Sequence, residues 1–407
     1  MAREAASLAA FRAEVRAFLR ENLPADMAWR RRHMSFYGGH EDIMAWSRIL
    51  GTRGWAVPHW PVEYGGTGWS PLELHVFHEE TKRADAPALP YQGPYLVGPV
   101  LIAVGSAEQK ARFLPPIALG QACWCQGFSE PNAGSDLARL RTTAQRNGDH
   151  YVLNGQKLWT SGAHVADWGF FLVRTNTEAR PQEGISFLLV DMRSPGVTVR
   201  PIKLLNGEHH VNEVFLDDVR VPLANCVGEE NHGWTYAKTL LGDERTVSAE
   251  VYWSERELEK LKDIAASERR GGRPLIADPV FRQRIARLEV ELRALRYSVL
   301  RVLAGEKNKY HEHAVASALK LRGAELMQKV SELQFDAIGE KGLRFFDAGE
   351  LPRSAEARTP EPIAPEAWPD YTLPRAGGQL SMRAATIAGG AREVQKNIIA
   401  KLALGLG

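Results

Sequence analysis

Apolar residues in the first part of the chain recur at spacings of three and four. Between residues 4 and 22, Leu8, Phe11, Val15, Phe18 and Leu19 fall on one helical face, with Glu4, Glu14 and Arg16 between them. The same periodicity predicts helices over 41–53, 71–84 and 107–119. Turn-rich runs separate them, Tyr37-Gly38-Gly39 and Tyr64-Gly65-Gly66-Thr67-Gly68. The acidic residues in the first pattern make it a helix of the fold rather than a signal or transit peptide.

From about residue 123 the pattern changes to short β-type runs over 139–145, 150–158, 168–174, 185–191, 197–203 and 213–220. Asn147-Gly148-Asp149 and Asn154-Gly155 are hairpin turn signals. Helical periodicity returns over 233–268, 278–304 and 309–339, and a last helix is expected over 382–403. Prolines at 352, 360, 362, 365, 369 and 374 mark 350–375 as a loop or insertion. The expected class is therefore α+β, with an N-terminal helical domain (1–122), a middle antiparallel β domain (123–231) and a C-terminal four-helix bundle (232–407). The βαβ alternation and glycine fingerprint of a Rossmann fold are absent, as is a Walker A run.

Composition adds exclusions. With 407 residues, 44% hydrophobic and 25% charged, the chain is of ordinary globular type and long enough for two or three domains. Its 51 basic and 49 acidic residues leave a net charge of +2, so nucleic-acid binding has no electrostatic support. No run of about 18 apolar residues exists, so no membrane span is expected. Three cysteines, Cys123, Cys125 and Cys226, cannot build a disulfide framework and point to a reducing, cytoplasmic compartment. The Cys123-x-Cys125 pair has no second pair to complete a zinc site, and Tyr310-His311-Glu312-His313 reads as a solvated helix start, so no metal is expected.

The run most suggestive of chemistry is Trp124-Cys125-Gln126-Gly127-Phe128-Ser129-Glu130-Pro131-Asn132-Ala133-Gly134-Ser135-Asp136. It reads as a strand end followed by a loop of small and polar residues. Gly134 lets backbone come close to a ligand, and Ser129 and Ser135 offer hydroxyls beside exposed N–H groups. Taken by itself, the run is either a ligand loop or a plain Asx/Gly turn.

This run resembles the first signature of the acyl-CoA dehydrogenase family. Four further segments resemble that family in order: Trp60–Gly68, Gly155–Ala163 (Gly-Gln-Lys-Leu-Trp-Thr-Ser-Gly-Ala), Asn212–Pro222 and Thr386–Ala400. The resemblance covers nearly the whole chain. It implies FAD, α,β-desaturation of an acyl-CoA thioester, and a fold of N-terminal helices, β middle domain and four-helix bundle. It places Gln126, Phe128, Ser129, Gly134, Ser135, Trp159, Thr160 and Ser161 at the cofactor, with Trp159 against the flavin ring. As a lone Trp on a strand, Trp159 would be read first as a core aromatic; its place in Lys157-Leu158-Trp159-Thr160-Ser161 is what turns it toward the cofactor. The resemblance also places Ser135, Arg245, Gly389 and Gly390 at the substrate.

Desaturation needs a base for the α-proton. Many family members carry a Glu for this in the C-terminal signature, and the matching position here is Gly389, which cannot act. The family's second location, on the first bundle helix just before an Arg, is Glu244 in Leu240-Leu241-Gly242-Asp243-Glu244-Arg245. On a helix, Glu244 shares a mostly apolar face with Leu240, Leu241, Val247 and Ser248. A carboxylate on such a face is either a base whose pKa desolvation raises or a salt-bridge partner of a neighbouring helix. Glu244 is the expected base.

The chain departs from the family where neighbouring subunits usually share a flavin. The Arg-x-x-Phe-Gly stretch reads Ser267–Leu275, and the Gln-x-x-Gly-Gly stretch reads Gln334-Phe335-Asp336-Ala337-Ile338-Gly339. These departures resemble a bacterial subgroup acting on bulky or dicarboxylic acyl chains, pimeloyl-CoA and steroid side-chain enzymes among them, some of which are heterotetramers. The resemblance further implies electron-transfer flavoprotein as acceptor and a homo- or hetero-oligomeric dimer or tetramer. Two other readings remain open. One is a non-catalytic subunit that completes a partner's flavin site; the other is a flavin oxidase or monooxygenase of the same fold.

Overall fold

Polar caps set where several helices begin. The computed structural model describes residues 2–33, 39–238, 249–305, 310–346 and 368–406. In its N-terminal part α1 (Ala2–Asn22), α2 (Ala25–His33), α3 (His40–Thr52), α4 (Pro71–Arg83), α5 (Gly98–Val104) and α6 (Ala107–Ala118) pack together. Ser70 caps α4 and Ser106 caps α6, each in a reciprocal box with the third helical residue, Glu73 and Gln109. Two elements lacked a sequence signal. α2 is an arginine-rich, mostly polar run without a clear apolar stripe. The π-helical turn Gln92–Val97 carries Gly93 and Pro94 and leads into α5, which opens with Gly98 and Pro99.

The middle part is a seven-stranded sheet of β1 (Trp124–Gly127), β2 (Thr143–Asn147), β3 (His150–Ser161), β4 (Trp168–Arg174), β5 (Ile185–Asp191), β6 (Val197–Lys203) and β7 (His209–Pro222). Most pairs are antiparallel, but β4 runs parallel to β1 and touches β2 in parallel at Thr143 and Arg174. The expected 139–145 strand is a 3-10 turn, Leu137–Arg139, followed by β2. β4 and β5 are continuous apolar runs because both of their faces are covered. Phe170, Leu172, Phe187 and Leu189 enter a core shared with the N-terminal helices. Their alternates Phe171, Val173, Leu188 and Val190 enter a second core under β3 and β7.

The C-terminal part is helical: α7 (Val251–Ser267), α8 (Pro279–Leu303), α9 (Glu312–Ile338), the short α10 (Arg375–Ser381) and α11 (Arg392–Leu404). Leu258, Leu261, Leu292, Leu295, Leu326 and Val330 fill the seam between α7, α8 and α9. The expected helix over 233–268 is helical at 233–238 and again from Val251, after Glu250 with its φ of +46°. The last helix starts at Arg392 rather than 382, because Gly389 and Gly390 take φ of +64° and +97° and break the periodic run. Most of the proline-rich 350–375 segment, through residue 367, lies outside the described residues. α4 and the turn after it are tied to the bundle by Asp85–Arg256 at 2.6 Å, Glu79–Arg296 at 2.9 Å and His75–Tyr252 at 2.7 Å. Among the described residues, no helix is long and apolar enough to cross a membrane.

Candidate functional site

The 128–136 loop begins where β1 ends against β4. Gly127 pairs with Phe171, and its missing side chain makes room for that ring: a Cβ there would lie 2.3 Å from Phe171 Cδ1. The loop then folds over Pro131-Asn132, with Glu130 and Ala133 exchanging backbone hydrogen bonds of 3.0 and 3.1 Å. Ser129 O accepts from Leu158 N–H at 2.8 Å, so the loop is pinned to β3.

Lys157 is the anchor beneath. Its side chain is fully buried, and its ammonium donates to Glu130 Oε1 at 2.8 Å, Leu172 O at 2.6 Å and Phe128 O at 3.3 Å. The Glu130 carboxylate in turn accepts from the N–H groups of Arg141 at 2.6 Å and Thr142 at 2.9 Å. Burial pulls the Lys157 pKa down to about 8, against the attraction of Glu130. Burial pushes Glu130 upward, but Lys157 and the hydrogen-bond donors outweigh it and hold the carboxyl below its ordinary value. Sequence reading passed over this pair. The signal was a lysine in a strand of otherwise alternating polarity, which forces an ammonium into the core.

Above Lys157 the strand is irregular. Lys157 pairs with Val214 but Thr160 with Asn212, so β3 carries one residue more than β7 across this interval, a β-bulge. Trp159 lies in the bulge with φ +61°, a left-handed conformation that a bulky side chain rarely takes. The bulge turns the indole outward, leaving Trp159 55% exposed. The core-aromatic reading of Trp159 is thereby excluded. Its neighbour Thr160 is buried, and its Oγ1 has no hydrogen-bond partner among the described residues.

Several predicted cofactor residues therefore meet. Phe128 is held through its carbonyl by Lys157, Ser129 through its carbonyl by Leu158, and Trp159 and Thr160 follow directly on β3. Gln126 is half-buried on β1 opposite Phe170, and Ser161 is half-buried opposite Val211. Gly134 and Ser135 are exposed, and a Cβ on Gly134 would meet nothing within 4 Å. Glycine at 134 is thus not demanded by the chain's own packing; a side chain there would fill open space over the loop. An outward aromatic face at Trp159, open space over Gly134, and a buried Thr160 hydroxyl without a hydrogen-bond partner among the described residues together fit a planar ring system such as a flavin.

The other predicted residues lie elsewhere. Gly389 and Gly390 form the turn before α11, where Lys320 on α9 donates to Gly390 O at 2.9 Å and Ala385 O at 3.1 Å. Glu244 and Arg245 lie outside the described residues. Gln334 is buried and spent within its own chain: its amide donates to Glu257 O and Oε2 at 2.8 Å each and accepts from Arg375 at 2.7 Å. Arg269 and Arg270 sit on an exposed two-stranded turn with Arg273-Pro274. Burial pushes the Cys123 thiol up to about 12 and Cys125 higher still, so neither supplies a thiolate. Among the described residues no cluster of three or more His, Cys, Asp or Glu could hold a metal.

Comparison with known proteins covers the chain in three blocks. Residues 6–121, 125–219 and 231–404 match the models for the N-terminal, middle and C-terminal domains of acyl-CoA dehydrogenase. Acyl-CoA dehydrogenase IpdE1 of Mycobacterium tuberculosis is 38% identical over 407 aligned positions, covering 97% of each chain. Among solved structures, the Tcur3481-Tcur3483 steroid ACAD superposes with a TM-score of 0.82 at 32% identity, over 99% of this chain and 98% of that one. The ChsE4-ChsE5 complex from Mycobacterium tuberculosis superposes with a TM-score of 0.78 at 31% identity, over 98% of both chains.

Proposed function

Because this chain belongs to the acyl-CoA dehydrogenase family, FAD-binding oxidoreductases that act on CH–CH groups, we propose that it desaturates an acyl-CoA thioester between its α and β carbons. The observation that carries this reading is the presentation of Trp159: a strained, bulged strand exposes one large aromatic face directly beside the loop clamped by Lys157 and Glu130. Such strain persists where a ligand uses it.

Bound FAD supplies the hydride acceptor. With FAD bound, Gln126, Phe128 and Ser129 would hold the ring's polar edge, Thr160 and Ser161 would contact it, and Trp159 would pack against it. Gly134 leaves the loop room to close on the cofactor, and Ser135 hydrogen-bonds the pantetheine arm. Glu244 takes the α-proton, Arg245 orients that region, and Gly389 and Gly390 line the thioester side. Gly389 has no side chain to serve, so the base comes from another element, and Glu244 is the carboxylate proposed for it. The domain division proposed is 1–122, 123–231 and 232–407.

The likeness to a steroid-type enzyme favours a bulky acyl group over a straight chain. Two similar structures are named for two components each, which favours assembly with a second, related chain over a homo-oligomer. Electron-transfer flavoprotein is the proposed acceptor and the cytoplasm the proposed location; no nucleic-acid or membrane partner is proposed. A second reading, a subunit that completes a partner's flavin site, is favoured by Gly389 and by the engagement of Gln334 within its own chain. Anaerobic titration of the purified flavoprotein with a panel of acyl-CoAs decides. Bleaching of the flavin by one thioester class supports the dehydrogenase, whereas a colourless protein supports the completing subunit. Rapid reoxidation in air would instead identify an oxidase or monooxygenase.

A further inference from the structure

Asn212 breaks the pattern of its own strand. On β7 it stands on the core-facing row with Val214 and Leu216, and it is fully buried. A buried amide is costly unless its hydrogen-bonding groups are met. Asn212 pairs across the sheet with Thr160, the residue just past the bulge that carries Trp159. Its Nδ2 donates to Thr160 O at 3.0 Å and to His164 Nδ1 at 3.2 Å, and its Oδ1 accepts from His209 Nε2 at 2.7 Å. The bond to Thr160 O holds the backbone immediately after Trp159, whose φ of +61° is a conformation that a bulky residue leaves when released.

The partners fix where the protons sit. Thr160 O only accepts, so the amide nitrogen faces it and the amide oxygen faces His209. His209 therefore carries a proton on Nε2. His164 Nδ1 receives an N–H, so it holds a lone pair, and the neutral ring carries its own proton on Nε2. The two histidines differ in what a second proton does. On His209 it goes to Nδ1 and leaves the bond to Asn212 Oδ1 intact. On His164 it goes to Nδ1 and sets two donors against each other at 3.2 Å, and the amide cannot turn over without giving up Thr160 O. The two rings lie with centroids 4.0 Å apart, so charge on both is opposed, and both rings are exposed to solvent protons.

Resting on the reading that Trp159 meets the flavin, we propose that Asn212 is a positioning residue for the cofactor site: it locks the β3 bulge with Trp159 turned outward, and it does so only while His164 is neutral. Asn212 acts through Thr160 and Trp159 rather than by touching flavin or substrate. The titratable groups facing His164 are His209 and His210 on β7 and His40 at the head of α3, which itself faces Glu41, Arg48 and Asp167. Burial first, then His209 and His40, hold His164 below its ordinary value, so the lock is closed at neutral pH and opens on acidification.

Two readouts on the full chain test this at pH 7.5 and pH 5.0: acrylamide quenching of tryptophan fluorescence in the apoprotein, and FAD affinity by flavin fluorescence. Among the described residues Trp159 is the exposed tryptophan, so the quenchable signal missing from Trp159→Phe reports its position. Asn212→Asp, whose carboxylate cannot donate to Thr160 O, is expected to lose most of that signal and at least about 10-fold in FAD affinity at pH 7.5. Wild type should lose at least about 3-fold in FAD affinity between pH 7.5 and pH 5.0, as the fraction with a closed lock falls. His164→Gln keeps an acceptor but takes up no proton, and should bind FAD equally at both pH values. A merely structural role for Asn212 would not make the acid response depend on His164. Undiminished quenching and FAD affinity in Asn212→Asp overturn the proposal, as does wild type that answers acid in neither readout. An acid loss that persists in His164→Gln also overturns it, and this comparison decides if Asn212→Asp does not fold. If the Trp159 signal responds to Asn212→Asp and to acid while FAD affinity does not, the lock stands and the flavin reading falls. If Trp159→Ala weakens FAD binding but neither Asn212→Asp nor acid moves either readout, the flavin reading stands and the lock falls.

Discussion

The Lys157 ammonium and the Glu130 carboxylate meet at 2.8 Å with almost no solvent contact, and this pair joins the floor of the middle sheet to the loop proposed to hold the flavin. Both charges are desolvated, so the pair gains little over an apolar isostere, but removing one partner strands the other. Lys157→Met should lower stability by about 3–5 kcal/mol and Glu130→Gln by a similar amount, whereas the double variant should lose less than the sum. Denaturant unfolding of the four proteins measures the coupling. Simple additivity would mean that the two groups do not depend on each other.

Trp159 makes a contrasting case. A largely exposed side chain contributes little to folding, so Trp159→Ala should change stability by no more than about 1 kcal/mol. FAD affinity should nevertheless fall at least about 10-fold, since the lost aromatic face is the one proposed to meet the ring. Fluorescence titration of the apoprotein with FAD reads this directly. Unchanged affinity would remove Trp159 from the cofactor site and leave its left-handed backbone without a functional account.

Gly134 tests the opposite side of the same site. Because a Cβ there meets nothing within 4 Å, Gly134→Ala should leave the apoprotein as stable as before, or raise stability by about 0.4–1 kcal/mol by restricting the unfolded chain. FAD binding should weaken. Gly127→Ala is the control, because its Cβ would fall 2.3 Å from the Phe171 ring and overpack the core at a cost of about 1–3 kcal/mol. A Gly134→Ala protein with undiminished flavin content would show that the open space is ordinary surface.

Acid should unfold the protein in two stages. Burial holds His59 down to about 4 and His78 down to about 3, so below 6.5 the unfolded chain takes up protons that the folded chain refuses. Stability is therefore lost as pH falls from 6.5 toward those values. Burial pushes Glu257 up, but Lys260 and Arg375 more than reverse this and hold it far below the ordinary 4.5. Its contribution is complete above 4.5 and is lost as pH falls further. Thermal midpoints across pH 3–7 should decline throughout, His78→Phe should flatten the upper stage, and Glu257→Gln should flatten the lower one. A midpoint constant down to pH 4 would contradict the histidine assignments.

Legibility followed periodicity. α4, α6, β4, β5 and β6 lie within a residue or so of where apolar spacing and turn signals put them, because burial on one face or two writes itself into the pattern. α2 and the π-helical turn Gln92–Val97 escaped, since tertiary packing rather than an amphipathic stripe holds them. The loop proposed to hold the flavin stood out as a run of small and polar residues. The Lys157–Glu130 clamp was not, because a pair 27 positions apart shows itself only when β3 crosses the end of β1. The bulge at Trp159 was hidden for the same reason: one extra residue in β3 is visible only against its partner β7.

The base assignment can be tested against the position it replaces. Glu244→Gln should keep FAD and acyl-CoA binding and lower the rate of flavin reduction about 10²–10⁴-fold, the span expected for loss of a general base. Gly389→Glu places a carboxylate where many family members have one, but here the backbone has φ +64°, and the next residue is fixed by Lys320 Nζ on Gly390 O at 2.9 Å. A side chain in that left-handed conformation costs about 1–2 kcal/mol, so Gly389→Glu alone should fold with reduced stability. Because relaxing the strain would displace the turn that Lys320 holds, the new carboxylate should not reach the α-carbon. The Glu244→Gln, Gly389→Glu double variant should accordingly stay as slow as Glu244→Gln in stopped-flow reduction. Recovery of the rate would show that the turn still has the geometry of a base-bearing segment, and undiminished reduction by Glu244→Gln would remove Glu244 from the chemistry altogether.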